Sequence, residues 1–191
     1  MAEQPGAGTG VIPDLPAASA RRPKVVVKAD LVPSISVASF VVLVGPVLGW
    51  LWSRLAPPLR AQVTTGNQLL ASPEESYHRF DGVAIFLMLA LVAGLLVGAA
   101  VWLLRERRGP VVLLAAALGS VFAGMLGKWI GGSLVAGRYM ITAAPRAGDM
   151  VAQAPTISSG WVILVAPFGV ALAYGTLAAW NGMHDLGRRL G

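Results

Sequence analysis

Four long apolar stretches, separated by shorter polar segments, dominate the hydrophobic pattern of the chain. They run over Val32–Trp52, Val83–Leu104, Pro110–Trp129 with an extension to Val135, and Trp161–Trp180. As a helix the first would rise about 31 Å, close to one bilayer hydrocarbon thickness. Three carry no charge, and the third carries only Lys128. Runs of this length are too long for helices of a soluble core. The pattern predicts an all-α fold, a bundle of four transmembrane helices over about 32–52, 83–104, 110–135 and 161–181, inside a membrane domain 30–184.

Tryptophan placement supports the same ends. Trp50, Trp52, Trp102, Trp129, Trp161 and Trp180 all lie near the end of a run and none at a centre. An indole favours the boundary between acyl chains and headgroups, so the six are expected to mark the two interfaces. Pro46 and Pro167 lie inside the first and fourth runs, where each removes a helical hydrogen bond and predicts a kink. Ser72-Pro73-Glu74-Glu75 reads as a helix start, predicting a short interfacial helix Pro73–Phe80 with Asp81 as a second cap before the second span. Ser158 or Ser159 is placed to cap the fourth helix. Between the first two spans, Gln62–Leu70 carries only a faint strand pattern, broken at Gly66-Asn67.

Residues 1–29 form a Gly-, Ala- and Pro-rich segment ending in basic residues, without the apolar period of a core, and read as a disordered cytoplasmic tail. It lacks the layout of a signal peptide. Arg21, Arg22, Lys24 and Lys28 precede the first span, Arg105, Arg107 and Arg108 sit between the second and third, and Arg188 and Arg189 follow the fourth. Basic residues on the other side are diluted by Glu74, Glu75, Asp81 and Asp149. The Lys/Arg rule then puts both termini, including the tail 185–191, in the cytoplasm, as an even number of spans requires. The expected location is the plasma membrane.

Composition narrows the function classes. Of 191 residues 55% are hydrophobic and 13% charged, against about 25% charged in a soluble domain. The net charge of +6 comes from clusters flanking apolar runs, where anionic headgroups meet them. Basic and aromatic residues are not interleaved as in a surface that stacks bases, so no nucleic acid partner is expected. The absence of Cys rules out disulfides, thiolate chemistry and Cys-ligated metals. His78 and His184 fall on opposite sides of the predicted topology. Glu74, His78 and Asp81 could share one helix face, but helix capping accounts for them more simply. No catalytic residue, metal site or cofactor is expected.

What remains is binding. Gly45 and Gly49, Gly94 and Gly98, and Gly127 and Gly131 are spaced one turn apart, and Ala116, Ser120, Gly124 and Lys128 form a further small-residue stripe. Such faces let helix backbones approach closely. They are read either as packing within the bundle or as the site of a partner subunit. Lys128 and Trp129 are expected at the interface as candidate lipid contacts, the Lys128 stem carrying its ammonium to a lipid headgroup or a binding site; Arg21 and Arg22 are candidate lipid contacts on the cytoplasmic side.

Gly45-Pro46-x-x-Gly49-x-Leu51-Trp52 with Ala56-Pro57, then Phe80-Asp81-Gly82, the Gly94/Gly98 pair with Trp102, and Gly131-Gly132 resemble a family of small actinobacterial membrane proteins with four predicted spans. The resemblance covers residues 32–182. It implies a plasma-membrane protein of unknown function, in mycobacteria and their relatives, and transfers no catalytic residue. The functional expectation is a non-catalytic accessory subunit that packs against a larger integral membrane complex of the envelope or of transport through its Gly-rich faces. The alternative is a small lipid-binding or transporter module, in one form a homo-oligomer, using Lys128 and the Pro46 and Pro167 kinks.

Overall fold

In the computed structural model, the described residues are 27–63, 69–71, 75–104, 109–139 and 146–180. Arg21, Arg22, Ser72, Pro73, Glu74 and His184, and the side chain of His78, lie outside them. Four helical segments are long and apolar enough to cross a membrane: Val32–Leu55, Phe80–Leu103, Pro110–Arg138 and Trp161–Trp180. This is the architecture of a multi-pass membrane protein.

The first span is two helices, α1 (Val27–Val42) and α2 (Val44–Leu55), interrupted at Leu43. Pro46 is the cause. It offers no N–H to the Val42 carbonyl, and its ring crowds that carbonyl, so the helix breaks one turn upstream. The helix begins at Val27, three residues before the expected start of the membrane domain. The second span belongs to α3 (Glu75–Leu103), one continuous 29-residue helix. This corrects the expected interfacial helix and second cap: Asp81 is an exposed residue within α3. The third span is α4 (Pro110–Arg138), with Pro110 at its start and Gly109 as N-cap. The fourth opens with a 3-10 turn, Trp161–Leu164, and continues as α5 (Val165–Trp180). Pro167 therefore occupies the first turn of α5, just after the 3-10 turn, rather than the interior of a continuous helix, a correction to the kink expected inside the fourth span. The Ile163 carbonyl that Pro167 cannot bond lies in the 3-10 turn.

The chain is not all-α. Strands β1 (Leu59–Val63), β2 (Leu69–Ala71) and β3 (Met150–Gln153) form an antiparallel sheet of order β2-β1-β3. β1 pairs with β2 from Ala61↔Ala71 to Val63↔Leu69, and with β3 from Leu59↔Gln153 to Gln62↔Met150. The two connectors at this end of the bundle are thereby joined into one cap. Leu59, Ala61 and Val63 are buried, while Arg60 and Gln62 are exposed, the alternation of a strand with one covered face. A tight turn leads into β3. Its Gly148 has φ +97°, and the Asp149 carboxylate accepts from the Arg146 backbone N–H at 2.8 Å.

The spans assemble as two parallel pairs, first with third and second with fourth. α4 also packs antiparallel on the fourth span, so the bundle runs in the order first, third, fourth, second. Leu48, Trp52, Phe86, Val135 and Val162 fill its sheet end, and Val101, Trp102, Val112, Val170 and Tyr174 its opposite end.

Candidate functional site

The glycine faces come first because they decide what is left open. A methyl group built at Gly45 would lie 2.6 Å from the Ala123 carbonyl oxygen, and one at Gly49 would collide with the backbone of Gly127 and Gly131. Gly94 and Gly98 are closed in the same way by the backbones of Ala166 and Val170, and Gly124 faces Ile163. Gly127 and Gly131 receive Leu48 and Trp52. All seven glycines offered as partner contacts therefore pack against the chain's own helices. The geometric reason is close backbone approach, which fills each face and leaves no room for another helix. Two further close approaches went unread in the sequence: Gly119 against Ala38 and Gly169 against Leu91. Neither has a second glycine four residues away to mark it.

The tryptophans divide. Trp50, Trp129, Trp161 and Trp180 are exposed on the helix surface, where interfacial indoles belong. Trp52 and Trp102 are not interface anchors. Trp52 is fully buried, donates from Nε1 to the Gly82 carbonyl at 2.7 Å and meets Phe86 edge-on at 6.3 Å. Trp102 packs edge-on against Tyr174 at 5.2 Å. The sheet end also has its own polar ties. Arg138 donates to the Ser53 carbonyl at 2.7 Å, where the end of α2 leaves carbonyls without helical donors. Arg54 lies over the Trp50 ring.

The feature with the character of a binding site surrounds Lys128. A groove of about 670 Å³ opens on the bundle surface, lined by Met125, Lys128, Trp129, Gly132, Ser133, Ala136, Gly160 and Ile163. Its size falls within the range of small-molecule sites, about 300–1,000 Å³. Five of these residues lie one turn apart in two rows of α4, Lys128-Gly132-Ala136 and Trp129-Ser133. At Gly132 the missing side chain leaves open space, with no atom within 4 Å of where a methyl would be. The Ser133 hydroxyl donates back to the Trp129 and Ile130 carbonyls, which leaves Lys128 as the charged side chain of the lining. Lys128 is half-buried, and its Nζ donates to the Ser159 carbonyl at 3.1 Å. Ser159 thus serves through its backbone. No side chain caps the following helix, which corrects the expected Ser158 or Ser159 cap.

A second, wholly apolar groove of about 340 Å³ lies between the first two spans, lined by Val37, Phe40, Val41, Val44, Val97, Ala100, Val101 and Leu104. Among the described residues no three His, Asp or Glu side chains gather as metal ligands.

The comparisons with known proteins agree with the resemblance read from the sequence. A family model described as a protein of unknown function (DUF2567) matches residues 41–188. The chain is 37% identical over 168 residues to the uncharacterized protein ML1222 of Mycobacterium leprae, covering 76% of this chain and 83% of that protein. It is 29% identical over 167 residues to the uncharacterized protein Rv1591 of Mycobacterium tuberculosis, covering 75% and 84%. No solved structure matches. The family match begins within α1 and extends beyond α5, taking in the cap, the glycine-closed helix pairs and the Lys128 groove. The chain belongs to the DUF2567 family of proteins of unknown function.

Proposed function

We propose that this chain is a non-catalytic, multi-pass plasma-membrane protein, both termini cytoplasmic, that holds a lipid in the groove beside Lys128. The orientation rests on the excess of Lys and Arg at the end opposite the sheet, which sets the sheet cap on the outer side. One observation carries the reading. A half-buried lysine supplies the one charge in the lining of a groove whose other walls are mostly apolar and which opens on the helix surface. An apolar cleft with one cationic side chain in its wall suits a molecule with an acyl tail and a polar head.

The test is lipid retention. Protein purified in mild detergent is expected to carry a co-purifying lipid detectable by native mass spectrometry. Gly132→Leu has space for its side chain, fills the groove and is expected to lose the lipid while keeping its thermal unfolding midpoint. Equal lipid in the two proteins would overturn the reading.

The accessory-subunit reading stands second. The seven glycines are already engaged within the chain, so a partner helix would need another surface. The observation favouring one is on α5, where Gly175 has no atom within 4 Å of a built methyl and Ala171 and Ala179 are exposed one turn to either side. Co-purification of an integral membrane protein that is lost in Gly175→Leu supports this reading; recovery of the chain alone opposes it.

A further inference from the structure

The exposed indoles mark two levels along the bundle. Trp161 and Trp180 close the fourth span at its two ends. A 3-10 turn and a 16-residue helix set them about 30 Å apart, the thickness of a hydrocarbon core. Trp50 and Trp129 share the level of Trp161. Gly49 meets Gly127 and Gly131 across the first helix pair, Gly124 faces Ile163, and Lys128 bonds the Ser159 carbonyl. Exposed indoles from three spans thus stand within about one helical turn of a common plane.

α4 is too long for the interval between the two levels. Its 29 residues rise about 43 Å, and Val112 in its first turn packs with Tyr174, toward the Trp180 end. Fitting it between the levels needs a tilt of about 45°, beyond the usual range of membrane helices. The excess, Ile130–Arg138, stands about 13 Å past Trp129 at the sheet end. The exposed face of α4 changes at the same place. Leu114, Leu118, Phe122 and Met125 are exposed before Trp129. After it come Ser133, Leu134, Ala136, Gly137 and Arg138, mostly small and ending in a charge. Hydrocarbon suits the first set and water the second.

The groove beside Lys128 crosses that plane. Met125 and Ile163 line it on the hydrocarbon side, and Gly132, Ser133 and Ala136 on the water side. A molecule that fills both halves must itself be apolar at one end and hydrated at the other. We propose that the hydrocarbon boundary passes through Trp50, Trp129 and Trp161, and that the groove takes a lipid of the leaflet at the sheet end. Its acyl tail lies against Met125 and Ile163, and its head against the projecting end of α4 at Gly132 and Ala136. This rests on the lipid-holding reading above and assigns the leaflet, the outer one in the orientation proposed there, and the direction of the bound molecule. Lys128 at the boundary keeps its ammonium beside water while its stem crosses the apolar wall.

The chain has no Cys, so single nitroxide labels on the full chain report each level in phosphatidylcholine liposomes. Leu118→Cys and Phe122→Cys are expected to collide more with oxygen, and Leu134→Cys and Gly137→Cys more with a water-soluble nickel chelate. All four positions are exposed and none lines the groove. Oxygen preference at Leu134 and Gly137 equal to that at Phe122 overturns the boundary and leaves the lipid-holding reading standing. Phosphatidylcholine bearing a nitroxide on its head or deep in its acyl chain then reports direction. The head probe is expected to broaden the Gly137→Cys label more than the chain probe does, and Gly132→Leu to reduce that broadening. Greater broadening by the chain probe overturns the direction. Broadening that Gly132→Leu leaves unchanged shows that the groove holds no lipid and removes both readings.

Discussion

At Gly49 the backbones of α2 and α4 come so close that the residue across the interface is itself glycine. A methyl there meets main-chain atoms of Gly127 and Gly131, which cannot rotate aside as a side chain can. Gly49→Ala is expected to cost about 1–3 kcal/mol, the usual range for overpacking a tight core, read as a lower unfolding midpoint in the same detergent. Gly132 has the same residue type without the constraint, which is why it serves as the site for a filling substitution. The spacing of Gly45, Gly49, Gly94 and Gly98 was legible from the sequence, since one-turn repeats of small residues stand out. Which helix each would meet was not, because Gly49 and Gly127 are 78 positions apart and several small faces compete for the same partners. Lys128 was equally visible as the one charge in an apolar run. Its acceptor was hidden, since a backbone carbonyl has no residue-type signature. Trp52 misled for a related reason: an indole at a run end looks the same whether lipid or a protein cap lies beyond it.

Among the elements, the broken first span shows proline acting at a distance of one turn. Pro46→Ala restores a donor for the Val42 carbonyl and is expected to join α1 and α2 into one straighter helix. Because the chain contains no Cys, spin labels can be introduced at Ser36→Cys and Arg54→Cys, both exposed positions. Their separation is expected to lengthen in Pro46→Ala; an unchanged distance would show that packing against α4, rather than the proline, sets the bend. Helices were well read from apolar run length, to within a few residues at most ends. The sheet was read only as a weak pattern in the first connector. β1 has five residues and β3 four, too short for alternation to register, and their pairing joins connectors separated by two entire spans.

For the whole molecule, the orientation proposed from the Lys and Arg excess can be tested at the sheet. Gln62 is exposed on β1 and Gly109 lies in the turn at the opposite end with open space around it. In intact cells a membrane-impermeant maleimide is expected to label Gln62→Cys and not Gly109→Cys; the reverse pattern would invert the topology. The cap also explains why the bundle ends in protein on one side, with Trp52, Phe86 and Val162 sealed beneath it. The glycine-closed pairs have a consequence during biogenesis. Each joins spans that are not neighbours in sequence, so the first hairpin to leave the translocon has Gly45, Gly49, Gly94 and Gly98 uncovered. The third span closes two of them, and Gly94 and Gly98 wait for the fourth. A nascent chain that ends after α4 leaves the Gly94 and Gly98 backbone uncovered and the sheet without β3.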